Sequence, residues 1–141
     1  IPDDSLIDAL RIAAQAGVDV RLMIPRLSDH PLVHPASLGY AQLVQEHGVK
    51  VYLYNGFLHA KSIICDDCIV SIGSSNFDIR SFSLNFEVNA FLYSREFARK
   101  NLEIFEHDIT NSQLLNKQWF EQKSIIYKGF CKIARLFAPL M

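Results

Sequence analysis

The sequence predicts an α/β domain. One succession, a helix-forming stretch followed by Gly-Val-x-Val and a β-branched run, occurs twice, at Gly17-Val-Asp-Val20 and at Gly48-Val-Lys-Val51. Such alternation lays helices on the faces of a mixed, mostly parallel sheet. The chain has 141 residues, 50% of them hydrophobic, which is apolar surface enough for one core. No low-complexity stretch or linker divides it.

Asp4 to Ala16 has helix-forming composition, with Leu6, Leu10 and Ala13 on one face and Gly17 placed as a stop. Val18 to Ile24 reads as a buried strand and Pro25 to Pro35 as a loop. Pro35 suits the first turn of a helix that runs to His47 and ends at Gly48. Val49 to Tyr54 is the next strand. Leu58 to Cys65 and Cys68 to Ile72 form a hairpin around Asp66-Asp67, and Phe86 to Tyr93 is a further buried strand. Glu96 to Ile109 is a helix whose Ala98, Leu102, Phe105 and Ile109 make a core-facing stripe. The expected organisation is a lobe over residues 1–116 and an amphipathic C-terminal helix within 117–141, running from Lys117 to Leu136 before Pro139.

Charge separates these parts. Residues 1–116 carry nine Lys/Arg against fourteen Asp/Glu, and residues 117–141 carry five against one. The body is therefore acidic and argues against a nucleic-acid partner, which needs a basic face; the basic tail suits an anionic membrane surface. In the tail Ile126, Phe130, Ile133 and Phe137 share an arc of about 60°, with Lys128, Lys132 and Arg135 on the opposite side. Trp119 and Tyr127 can anchor at head-group depth. Packing of the apolar arc on the body is the alternative, since Gly129 weakens a free helix. No apolar run approaches the ~18 residues of a membrane span, and nothing resembles a signal peptide. The chain begins with Ile1, which leads us to expect a piece of a longer protein.

Cys65-Asp-Asp-Cys68 has redox or zinc spacing, but it sits at a hairpin turn without a second pair. We assign it no metal or redox role and expect no cofactor. With Cys131 these are three cysteines, in keeping with a reducing compartment.

The densest pattern is His59-x-Lys61, Asp66, Gly73-Ser74 and Asn76, that is H-x-K-x4-D-x6-G-S-x-N. It resembles the HKD motif of the phospholipase D superfamily. Asn76-Phe-Asp-Ile-Arg-Ser-Phe-Ser-Leu-Asn-Phe-Glu-Val-Asn89 is similar to bacterial cardiolipin synthases in particular, as are the opening Ile1-Pro-Asp-Asp-Ser and the segment from Ile24-Pro25 through Asp29-His30-Pro31. The resemblance implies a phospholipase-D-like lobe, the C-terminal half of an enzyme that joins two phosphatidylglycerols into cardiolipin and glycerol through a phosphohistidine.

Phosphodiester exchange through a protein nucleophile needs one group to attack phosphorus and another, opposite, to protonate the leaving oxygen. One imidazole cannot do both in line. The superfamily uses two facing HKD motifs, so His59 implies half of a site, completed by an N-terminal HKD lobe of the same protein or by a second copy. By resemblance His59 is the general acid and then the base. Lys61 would hold a non-bridging phosphate oxygen, helped by Asn76 and Ser74. Glu87 resembles the carboxylate that orients a catalytic imidazole, either that of His59 or that of the partner motif. Asp66 belongs to the motif, although its turn position favours a structural carboxylate. His30 would line the entrance; His34, His47 and His107 read as surface residues; Arg80 and Asn85 would shape or brace the pocket. The implied partners are phosphatidylglycerol and other anionic phospholipid at the cytoplasmic side of a bacterial cell membrane. Two rivals remain: a homodimeric phosphodiesterase or nuclease, and a catalytically silent lipid- or partner-binding domain.

Overall fold

The computed structural model of the chain describes residues 2–27 and 33–136, with backbone alone for residues 132, 135 and 136. The Asp29-His30-Pro31 loop and Phe137 lie outside the described residues. Helix α1 (Asp4–Gln15) opens on Asp3, whose Oδ1 accepts the Leu6 N–H at 2.8 Å. It ends at Gly17, which has φ of 92°. Strand β1 (Arg21–Pro25), helix α2 (Val33–Gln45) and strand β2 (Lys50–Tyr54) follow, and Gly48 closes α2 with φ of 98°. Both Gly-Val-x-Val stops thus end a helix and lead into a strand, as the repeat implies.

Two three-stranded sheets result. In the first, β1 and β2 are parallel and β6 (Ser112–Leu115) joins β2 antiparallel. In the second, β3 (Ser62–Cys65), β4 (Ile69–Gly73) and β5 (Asn89–Tyr93) form an antiparallel meander. The α/β class with flanking helices holds. The sheets are less parallel than the repeat suggests: β3 and β4 are joined by a tight hairpin, which allows only antiparallel neighbours, and the 74–88 connection with α3 returns β5 antiparallel beside β4.

The main core lies between the first sheet and the helices α1, α2 and α5 (Lys117–Glu121). Ile7, Leu38, Val44, Val51, Leu53, Leu115 and Phe120 meet there. Helix α4 (Arg95–Thr110) packs on β2 and β6 of the first sheet and on β3 and β4 of the second, and so ties them together. Its Ala98 is fully buried, with Leu102, Phe105 and Ile109 half-buried along the expected stripe. The expected continuous tail helix is instead two pieces. Helix α5 starts at Asn116, whose Oδ1 accepts the Trp119 N–H; Ser124 Oγ accepts the Tyr127 N–H as α6 (Ile125–Leu136) begins. The polar residues Gln122 to Ser124 form the break. No helix among the described residues is long and apolar enough to cross a membrane.

Arg21 and Lys50 are register partners on β1 and β2, an arrangement of like charges that would weaken the pair. Asp19 offsets this, taking Arg21 Nη2 and Lys50 Nζ at 2.7 Å each, and Arg21 reaches Glu106 of α4 at 3.7 Å. The hydrogen bond from Arg21, and then that from Lys50, lower the Asp19 pKa from 3.8 to about 2. A carboxylate so depressed contributes its stability above the unfolded value and loses it as pH falls through the folded one. The bridge is exposed, so Asp19→Asn should cost about 1 kcal/mol or less at neutral pH. In urea unfolding followed against pH, that difference should shrink below about pH 4 and vanish below about pH 2.

Candidate active site

His59 and Lys61 lie immediately before β3, not inside it as the strand expectation had them, because the last paired residue of β4 is Gly73. A single bond, Gly73 N–H to Lys61 O at 3.2 Å, carries the ladder that far. Alternation still puts both side chains on one side of the chain. Lys61 Nζ stands 3.2 Å from His59 Nδ1 and donates to His59 O at 2.9 Å. An ammonium only donates, so Nδ1 is the acceptor and Nε2 carries the proton of the neutral ring. The Phe57 ring stacks on His59, with centroids 5.9 Å apart and planes at 12°. His59 is exposed, at the open edge the motif implies.

The second half of the motif forms beside this pair. Gly73 is a steric necessity: a Cβ there would collide with Asn89 Oδ1 and Val88 O. That closeness lets Ser74 N–H donate to Val88 O at 3.0 Å and Val88 N–H to Ser74 Oγ at 3.0 Å, while Ser74 Oγ donates to Glu87 Oε2 at 2.5 Å. A hydroxyl has one proton. Ser74 therefore has none left for a phosphate while it holds Glu87, and acts as a strut. Asn85 Nδ2 donates to the other Glu87 oxygen at 3.3 Å. Hydrogen bonds from Ser74, Ser81 and Asn85, with the attraction of Lys61, hold Glu87 below the usual carboxylate range. No hydrogen bond joins Glu87 to His59 among the described residues; the charge nearest to it in effect is Lys61.

Ser81 is a member of the site that the motif did not single out. Helix α3 (Ile79–Ser83), capped by Asp78 Oδ1 on the Ser81 N–H at 2.8 Å, turns this buried hydroxyl back under the site. There it accepts the Asn76 N–H at 3.1 Å and reaches Glu87. Its only signal in the sequence was its place in the Arg80-Ser-Phe-Ser run. Asn76 itself is exposed beside Ser74.

Asp66 is not brought into this group. It and Asp67 take left-handed φ of 48° and 52° at the hairpin turn, closed by Cys68 N–H to Cys65 O at 3.1 Å. Asp66 lies five steps beyond Lys61 along an extended chain, a span of about 16 Å. Cys65 and Cys68 flank the same turn, and among the described residues no group of three or more His, Cys, Asp or Glu converges as a metal site would.

This arrangement, an imidazole and ammonium at a strand end beside a Gly-Ser turn that grips a carboxylate, is that of a phospholipase D lobe. In fold the chain is similar to a phospholipase D family member, Nuc from Salmonella typhimurium, with a TM-score of 0.73 at 22% identity over 83% of this chain and 77% of that one. A family model described as cardiolipin synthase, PLD-like domain, matches residues 1–109, and the chain belongs to that family. Over its whole length it is 47% identical to cardiolipin synthase 1 of Staphylococcus aureus (strain COL) and 44% identical to the cardiolipin synthase of Listeria monocytogenes serotype 4a (strain HCC23). It spans 29% and 30% of those relatives.

Two substitutions test the build of the site. Gly73→Ala should destabilise the chain by about 1–3 kcal/mol in urea unfolding, because backbone atoms have to move. Ser74→Ala should cost about 1 kcal/mol and raise the Glu87 pKa towards its ordinary value in an NMR titration, since the largest stabiliser of the carboxylate is gone.

Proposed function

We propose that the chain is the C-terminal catalytic half of a bacterial cardiolipin synthase, which transfers a phosphatidyl group from one phosphatidylglycerol to a hydroxyl of a second and releases glycerol. The observation that carries this reading is the His59–Lys61 pair, 3.2 Å apart and exposed at the strand end next to Ser74 and Glu87, in a chain aligned end to end with cardiolipin synthases.

In this reading the histidine of a facing HKD lobe attacks phosphorus. His59, as an imidazolium whose Nδ1 no longer accepts from Lys61, gives the proton on Nε2 to the departing glycerol oxygen, then takes one from the incoming hydroxyl as base. Lys61 places its charge on a non-bridging oxygen and stabilises the transition state. Asn76 adds a hydrogen bond, and Glu87, held by Ser74, Ser81 and Asn85, fixes the Lys61–His59 edge and faces the partner imidazole. Asp66 keeps the hairpin turn and takes no part in proton transfer.

The surface beside His59 supports a two-lobed site. Cross-strand partners share a face, so Ile63 and Phe91 lie on the same side of the second sheet as Lys61, with Tyr93 next along β5. They are 52%, 64% and 79% exposed. The other face, with Ile64, Val70 and Leu92, is the one α4 covers. The N-terminal HKD lobe of the same protein, or a second copy, would cover the open face and bring its histidine opposite His59. Phosphatidylglycerol would enter from the cytoplasmic side of the membrane.

In the enzyme with both lobes present, His59→Ala should lower cardiolipin formation by at least about 10²–10⁴-fold with an unchanged melting temperature, because the side chain is exposed. Lys61→Ala should be similarly severe. Retained glycerol release by His59→Ala would overturn the reading, and DNA cleavage without lipid transfer would replace it with a nuclease. Cys65→Ser with Cys68→Ser should leave turnover within about twofold, since both flank a turn about 16 Å from Lys61.

A further inference from the structure

We propose that the outward side of α6 is a docking surface for an anionic lipid bilayer, a contact separate from the catalytic site. The helix is not free. With Ile125 as origin and about 100° per residue, Tyr127, Cys131 and Ala134 fall between about 180° and 240°, and along that line α6 packs on α2. Cys131 and Ala134 are buried and Tyr127 packs against the core. Docking uses a different face from the apolar arc.

That arc is left over. Ile125, Ile126, Ile133 and Phe130 are 87%, 85%, 55% and 42% exposed. The opposite flank of the same outward side, at about 280° to 340°, is basic in sequence, with Lys128, Lys132 and Arg135. An apolar flank and a basic flank on either side of an outward line suit a surface that offers hydrocarbon and negative charge together. Lys117, on α5, pairs with Glu121 at 3.9 Å and is not part of this flank. Lys123 Nζ lies 4.3 Å over the Trp119 ring, but Trp119 and Tyr127 pack against the core and are not on the outward side.

A protein partner fits less well. Four partly exposed side chains offer on the order of a few hundred Å², whereas a stable protein interface takes about 800 Å² from each partner. A bilayer needs no such area when the catalytic site works on the same surface. In that respect the inference rests on the lipid substrate proposed above.

The test measures binding and not turnover, so it stands or falls apart from the catalytic reading. The 141-residue chain should sediment with phosphatidylcholine vesicles containing phosphatidylglycerol, and raising the salt should release it. Pure phosphatidylcholine should bind it at least about tenfold less, with several basic residues contributing near an anionic surface. Ile126→Asn with Ile133→Asn should lower partition into the anionic vesicles at least about tenfold at an unchanged melting temperature, and Ile104→Asn, at an exposed position of α4, should leave partition alone. Should the double variant unfold, Ile125→Ser, at a position that is 87% exposed, replaces it: it should lower the same partition several-fold at an unchanged melting temperature. Equal binding by the wild type and a folded variant, or a dimer that the changes dissociate without altering vesicle binding, would each overturn the proposal.

Discussion

The contact on which the site depends is the close approach of the end of β4 to Val88 and Asn89, and it exists because residue 73 has no side chain. Everything chemical hangs from that backbone meeting. Ser74 is drawn against Val88 by two hydrogen bonds, which aims its hydroxyl at Glu87, while the Gly73 N–H extends the ladder by one bond to Lys61. One glycine thus sets the spacing between the H-x-K segment and the carboxylate. Buried Ser81 braces the same turn from behind through the Asn76 N–H. The site is assembled from neutral donors around one carboxylate, without a large core beneath it.

Much of this was legible because the chemistry is local in sequence. His59 and Lys61 are two residues apart, and Gly73, Ser74 and Asn76 lie within four, so any extended conformation leaves each group together; only the hairpin register was needed to join them. What was not legible depends on tertiary structure. Ser-Gln-Leu-Leu at β6 has no β-branched residue and forms a strand because α4 delivers it to the free edge of β2. The Gly-Val-x-Val repeat speaks only for the first half of the chain, so the antiparallel meander had no voice in the expectation of a mostly parallel sheet. Ser81 acquires its role from the turn of α3, which spacing alone does not reveal.

The meander also divides the work of its two faces. Val70 is fully buried on the side of α4, while Ile63, Phe91 and Tyr93 face solvent on the side of Lys61. Leaving such side chains in water forgoes about 25 cal/mol per Å², a loss that a facing lobe would recover on binding. In-line displacement at phosphorus demands a second group opposite the first, and the same open face supplies room for it. On the proposed reading, chemical incompleteness and apolar exposure coincide on one surface.

The tail follows a different logic. An isolated helix as short as α6 is marginal in water, and Gly129 weakens it by up to about 1 kcal/mol. Packing does not require that glycine, since an added Cβ would meet nothing within 4 Å. Tertiary docking through Tyr127, Cys131 and Ala134 is then what holds α6 in shape, with Lys128 Nζ helping by donating to Glu121 O at 3.2 Å. A helix folded by the body need not be folded by a surface it touches. Its isoleucines stay exposed because the residues that anchor it occupy another face, so the fold can present an apolar stripe at a fixed angle without spending that stripe on its own stability.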